Sequence, residues 1–233
     1  MSSVFTSSIG KKLVMGISGL FLVMFMVVHL TVNSLLLVPD GGDTFNAAAH
    51  FMATNPIIRI IEPILAIGFV IHIIWALVLT LENRKARGSD RYASGNKSTG
   101  VSWASKNMFV LGLTILAFLV LHLAHFWVKM RLTGDDLLEH VTVNIAGVDT
   151  LVENSYALVN ATFGYLWIVI VYIVAGVGLA IHLTHGFWSA FQSVGLSNNI
   201  WRKRFTVIGN IFAWLVGLGF SAIALLQYLF YQI

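Results

Sequence analysis

The stretch GLAIHLTHGFWS, residues 178–189, places His182 and His185 near the end of a long apolar run, with no acidic or basic residue between them to pair with. Three other apolar runs also carry histidine. LVLHLAHFWVKM (119–130) holds His122 and His125, FMVVHLTVN (25–33) holds His29, and FVIHIIWAL (69–77) holds His72. What these imidazoles face depends on how the chain around them is read.

Of the 233 residues, 58% are hydrophobic and 10% are charged, and the mean hydropathy is +0.84. Soluble domains carry about 25% charged residues, so the composition is that of an integral membrane protein. Apolar runs of about 20 residues cross a bilayer as helices. Five are expected here, at about 13–38, 57–81, 107–128, 162–191 and 206–231. Backbone polar groups in lipid must be satisfied within their own helix, so the expectation is an all-α, five-helix transmembrane protein. One domain over 1–233 is expected, with the first four helices forming the histidine-bearing bundle. Lys11 and Lys12 precede the first run, but its length and the lack of a small-residue cleavage site make it a retained span rather than a signal peptide.

Charge orients the bundle. Eleven of the 14 basic residues lie in the N-terminus (Lys11, Lys12), the 82–106 loop (Arg84, Lys85, Arg87, Arg91, Lys97, Lys106) and the 192–205 loop (Arg202, Lys203, Arg204). Eight of the ten acids lie on the other side: Asp40, Asp43, Glu62, Asp135, Asp136, Glu139, Asp149 and Glu153. The positive-inside rule then puts the N-terminus inside and the C-terminus outside. The net charge of +4 is a topology signal rather than a nucleic-acid footprint, and the basic face suits acidic lipid headgroups or a partner protein. The chain has no cysteine, which excludes disulfides, a c-type haem attachment and a thiolate-held iron–sulfur cluster within it.

A helix rises 1.5 Å per residue, so offsets in sequence become depths. His29 and His122 fall roughly 24 Å and 21 Å from the inner edge, and His72 and His182 each fall roughly 14 Å from it. Four helices thus offer two pairs of histidines at two levels. One histidine from each of two facing helices is the arrangement that ligates a haem iron from both sides, and bundle cores hold such cofactors. With both axial positions taken, such irons carry electrons and bind no substrate. A lone histidine in a membrane helix commonly serves packing. Four at matched depths are too expensive to be only that. A histidine-lined proton or metal transporter is the competing reading from another class, but no Asp or Glu lies deep in any run. Gly68 and Gly178 stand one turn before His72 and His182, where a missing side chain lets a flat macrocycle approach. That favours His182 over His185. Between His122 and His125 the residues leave the choice open.

HLTVN (29–33), FNAAAHFMATNP (45–56), HLAHFW (122–127) and IHLTHGFWSAF (181–191), spread over most of the chain, carry a resemblance. It is to the five-helix, di-haem cytochrome b anchor subunits of bacterial succinate dehydrogenases and fumarate reductases. The resemblance implies two non-covalent b haems, with His72 and His182 on the inner iron and His29 and His122 on the outer. It makes His125 and His185 neighbours of the haems rather than ligands. It also implies a flavoprotein and an iron–sulfur protein docked on the cytoplasmic face of a bacterial inner membrane, with electrons passing to or from a quinone, expected to be menaquinone. A cytochrome b subunit of another quinone-linked dehydrogenase is the related alternative.

The resemblance places quinone near the outer haem. There Asn33 lies one turn beyond His29, and His50 and Glu62 flank the loop that follows, offering donors and a proton route. The DDLLEH segment (135–140) within the acidic 129–160 loop reads as a solvated amphipathic stretch rather than a metal site.

Overall fold

The computed structural model describes residues 7–87 and 102–231. Arg91 and Lys97, counted above among the inner basic residues, lie outside the described residues, as does the side chain of Arg87. Helix α1 (Ser8–Ser34) starts where the Ser7 hydroxyl accepts the N–H of Gly10 at 3.0 Å, and it runs on into a 3-10 turn over Leu35–Leu37. A short helix α2 (Asp43–Thr54) lies in the following loop. Helix α3 (Pro56–Arg87) opens on Pro56, whose missing N–H costs nothing in a first helical turn. After the one-turn α4 (Trp103–Lys106), helix α5 (Met108–His122) continues through two π-helical turns, Leu123–Trp127 and Lys129–Thr133. Then come a β-hairpin, the short α6 (Ser155–Phe163), and the long α7 (Leu166–Ser193) and α8 (Asn199–Tyr231).

Five segments are long and apolar enough to cross a membrane: Ser8–Leu37, Pro56–Ala86, Met108–Thr133, Leu166–Ser193 and Asn199–Phe230. Their number and order match the reading of the sequence, and three boundaries differ for local reasons. The fourth run is cut at Tyr165, whose extended backbone (φ −106°, ψ 116°) separates α6 from α7. The third is prolonged by its π turns. The fifth begins earlier because the Asn198 side-chain oxygen accepts the N–H groups of Ile200 (3.0 Å) and Trp201 (2.9 Å), capping a helix that starts among basic residues. Those cations rest on aromatic faces, Arg202 over Trp188 at 4.8 Å and Arg204 over Trp201 at 4.9 Å.

The 129–160 loop is more ordered than a solvated stretch. Strands β1 (His140–Ile145) and β2 (Val148–Glu153) pair antiparallel around Ala146 and Gly147, both at positive φ (54° and 88°), as a two-residue hairpin turn requires. Alternation puts Val143 and Val152 inward, both buried. The DDLLEH residues spread accordingly. Asp135 caps a 3-10 turn at Asp136–Leu138, and His140 stands opposite Glu153 in the ladder.

The tightest packing joins α7 to α8. A Cβ added at Gly176 would lie 2.8 Å from the Gly217 carbonyl oxygen, so the two backbones nearly touch there, flanked by the buried Ala180, Ala213 and Ser221. Small residues four apart allow such an approach between membrane helices. Gln227 of α8 donates from Nε2 to the Leu36 carbonyl at 2.7 Å, tying α8 to the end of α1. At the hairpin end, Leu36, Phe45, Val159, Phe163, Val169, Tyr172 and Ile223 form one apolar core. Asn46 of α2 is buried in the same region, accepting the Tyr156 N–H (2.8 Å) and donating to Asn154 (3.1 Å). The opposite end is basic. Lys11 of α1 pairs with Glu82 of α3, and Gly16 lies against Ser193 at the end of α7.

Candidate cofactor site, two levels of histidine

At the hairpin-end level, His29 of α1 meets His122 of α5 with ring centres 5.7 Å apart and ring planes at 87°. Aromatic rings enclose the pair. Phe25 stacks on His29 (5.0 Å) and Phe118 on His122 (5.7 Å), while Phe220 and Phe126 close the sides. Asn33 donates to the His29 carbonyl at 2.8 Å, which brings its amide nitrogen to 3.5 Å from His29 Nδ1. The Tyr172 hydroxyl of α7 lies between two imidazoles, 3.4 Å from His122 Nδ1 and 3.1 Å from His125 Nδ1.

At the basic-end level, His72 of α3 lies close enough to His182 of α7 for the two imidazoles to interact electrostatically. The buried Ser18 of α1 donates its proton to the Met15 carbonyl (3.1 Å), so its oxygen is left to accept from His72 Nδ1 at 3.3 Å. That partner puts the His72 proton on Nδ1 and leaves Nε2 as the lone-pair nitrogen, the usual way a ligating histidine is oriented. The buried Nδ1 atoms of His182 and His185 have no hydrogen-bond partner. His185 packs edge-on against Trp188 at 5.0 Å.

Three helices give the spacing between the levels independently. On α1, Gly19 sits beside His72 and lies ten residues before His29. On α5, Gly112 sits beside His182 and lies ten residues before His122. On α7, Tyr172 touches His122 and lies ten residues before His182. Ten helical residues span roughly 15 Å, so the levels are stacked about that far apart.

The glycines divide. A Cβ on Gly178 would meet nothing within 4 Å, and one on Gly19 would come to 3.6 Å from the His72 ring. Gly68 serves another purpose, since a Cβ there would lie 2.9 Å from Phe21 of α1, and the glycine makes room for that ring. Asn33, His50 and Glu62 are not drawn together. Glu62 accepts from Trp127 Nε1 (2.7 Å) and pairs with Arg131 (3.4 Å), Asn33 is engaged with His29, and among the described residues no hydrogen bond or ion pair joins the three. Ser18 and Tyr172 escaped the reading of the sequence. Tyr172 left a trace there, a polar-tipped aromatic in the middle of an apolar run.

Among the described residues no group of three or more His, Asp or Glu gathers as a metal cage. A haem iron takes four ligands from its macrocycle and needs only two from protein. Metal–imidazole bonds of about 2 Å on either side set two ring centres roughly 6 Å apart, close to the separation of His29 and His122. Paired imidazoles, apolar aromatic walls, open space at Gly178 and an unpartnered Nδ1 on His182 suit a b-type haem. No protein-family model matches the chain, and no curated protein or solved structure matches it significantly.

Proposed function

We propose that this chain is the cytochrome b membrane anchor of a bacterial succinate dehydrogenase or fumarate reductase, carrying electrons through two bis-histidine b haems between an iron–sulfur subunit and a membrane quinone. The observation that carries the reading is the stacking of His29–His122 about 15 Å from His72–His182, reported by three separate helices. The motifs shared with that family of anchors support it.

In this reading His72 and His182 hold the inner haem, and His29 and His122 hold the outer. When bound, each haem supplies a one-electron ferric/ferrous couple with both axial sites filled. The protein's own contribution is orientation and environment. Ser18 holds the His72 ring from Nδ1, Tyr172 holds His122, and Phe25, Phe118, Phe126 and Phe220 keep water from the outer pair. The end bearing Lys11, Arg84, Lys106 and Arg202 is the cytoplasmic face, where the iron–sulfur protein and flavoprotein dock. Menaquinone is the expected quinone. If it reacts near the outer level, each electron crosses most of the bilayer and exchanges about 2.3 kcal/mol with a 100 mV potential.

The test is a reduced-minus-oxidised optical spectrum and haem count on the purified complex, repeated for His72→Ala, His182→Ala, His29→Ala and His122→Ala. Two b haems are expected, with the first two variants losing one and the last two losing the other. A complex without haem would overturn the reading and favour the histidine-lined transporter.

A further inference from the structure

Beyond the histidine pairs, a cavity of about 270 Å³ opens at the hairpin end. It is lined by His125 and Lys129 of the π-helical stretch, Leu137, and Leu158, Ala161, Thr162, Tyr165 and Ile168 around α6 and the start of α7. We infer that this cavity is the quinone-headgroup site, with His125 as the donor to a quinone carbonyl and Lys129 as the donor at its rim. The inference rests on the haem reading above and assigns the quinone to a place distinct from Asn33, His50 and Glu62.

The argument is one of proton placement. If His122 ligates through Nε2, its proton is on Nδ1, which donates to the Tyr172 oxygen at 3.4 Å. The tyrosine has one proton, and the other imidazole within reach is His125, whose Nδ1 lies 3.1 Å away and accepts it. His125 is then left with its own proton on Nε2. A histidine lining the cavity is thereby set as a donor by the same chain that orients the ligand of the outer haem.

The lining also selects the chemistry of the occupant. Lys129 is paired with Asp135 at 2.7 Å, so among the lining residues no positive charge is left over for a carboxylate or phosphate. Apolar walls with hydrogen-bond donors fit a neutral ring bearing carbonyl acceptors. Tyr165, 61% exposed, and Leu137 mark an open rim through which a lipid tail can leave. In the direction of succinate oxidation the quinone takes two electrons and two protons, and each C=O becomes C–OH. The electrons come from succinate, oxidised to fumarate with release of two electrons and two protons on the partner subunits. The protons bound by the quinone enter from water on the Lys129–Asp135 side.

The decisive experiment uses the assembled complex and a short-chain naphthoquinone. His125→Leu and Lys129→Met remove the donors, and Ala161→Phe fills the cavity without touching the imidazole chain. Each is expected to lower kcat/KM for the quinone about tenfold or more, the worth of a lost hydrogen bond to a bound ligand. Two b haems and dye-linked succinate oxidation should remain. An azido-naphthoquinone should label wild type within residues 125–137 or 158–168, and Ala161→Phe should abolish the labelling. Unchanged quinone kinetics in Ala161→Phe, or labelling confined to the neighbourhood of Asn33, His50 and Glu62, would overturn the inference while leaving the haem reading intact. Loss of the outer haem in His125→Leu with unchanged kinetics in Ala161→Phe would also overturn it, and would make His125 a haem-propionate partner. Loss of both haems from wild type is the separate failure of the haem reading.

Discussion

The two sides of this bundle are built on different terms. Between α7 and α8 the backbones meet at Gly176 and Gly217, and 39% of the spanning window of each helix is buried within the chain. On the other side, no residue in the spanning window of α3 is buried, the share for α5 is 6%, and those two helices barely touch. Yet the histidines come from α1, α3, α5 and α7, and α8 has none. The tight side completes itself with protein atoms. The loose side places its polar groups in the interior and leaves their coordination to something added, which is the expected division in a scaffold that carries a cofactor.

That comparison breaks first at its tight side. Gly217→Leu must force α7 and α8 apart against backbone, a displacement worth more than the usual 1–3 kcal/mol of overpacking. We expect loss of a monodisperse, folded complex in size-exclusion chromatography. Gly178→Leu sharpens the contrast, because its side chain enters open space. The variant should fold as wild type does without haem, yet fail to bind the inner haem in a haem count.

A smaller effect follows from removing the cofactor altogether. Protein made under haem starvation should show faster amide exchange in α3 and α5, with α7 and α8 still protected, as measured by hydrogen–deuterium exchange. Equal loosening of all four would show that the tight side also depends on haem. Smaller again is Tyr172→Phe, which removes one hydroxyl between His122 and His125 and keeps the ring in its packing. A net hydrogen bond is worth about 1 kcal/mol. The outer haem should change its midpoint potential and its low-temperature spectrum, and the inner haem should change neither.

The smallest effect lies outside the membrane. The hydrogen bond from Lys129 holds the Asp135 carboxyl below the ordinary carboxylate range. A depressed folded value means its contribution is fully present above the unfolded pKa of about 3.9 and is lost only as pH falls through the lower folded value. Proteolysis around residues 133–140 should therefore be constant from about pH 8 to pH 5 and rise only in stronger acid.

What could be read from the chain alone follows from the ranges of the forces involved. Hydropathy acts along one helix, so the five spans and the depth of His29, His72, His122 and His182 were legible. The hairpin was not, because strands of six residues with polar residues interleaved resemble a solvated segment until Val143 and Val152 find a core. Ser18 and Tyr172 were hidden for a different reason. Their role depends on how α1 and α7 are rotated against α3 and α5, and that rotation is set by contacts between helices. The case of Gly68 is similar, for a glycine before a histidine says nothing of Phe21 across the interface.

The π-helical turn that begins at Leu123, directly after His122, has a consequence for the chain's tolerance of length changes. Such a turn takes up one residue more than an α-helical turn, so everything beyond it is rotated relative to the helix below. Whether His125 looks toward Tyr172 is therefore decided by counting residues as much as by their chemistry. Deleting one residue from 123–124 could be absorbed by relaxing the π turn to an α turn, leaving the span intact and both haem levels in place. Such a deletion would swing the later side chains to new faces. It would separate holding a haem from communicating with the far end of the molecule, two properties that no point substitution divides so cleanly.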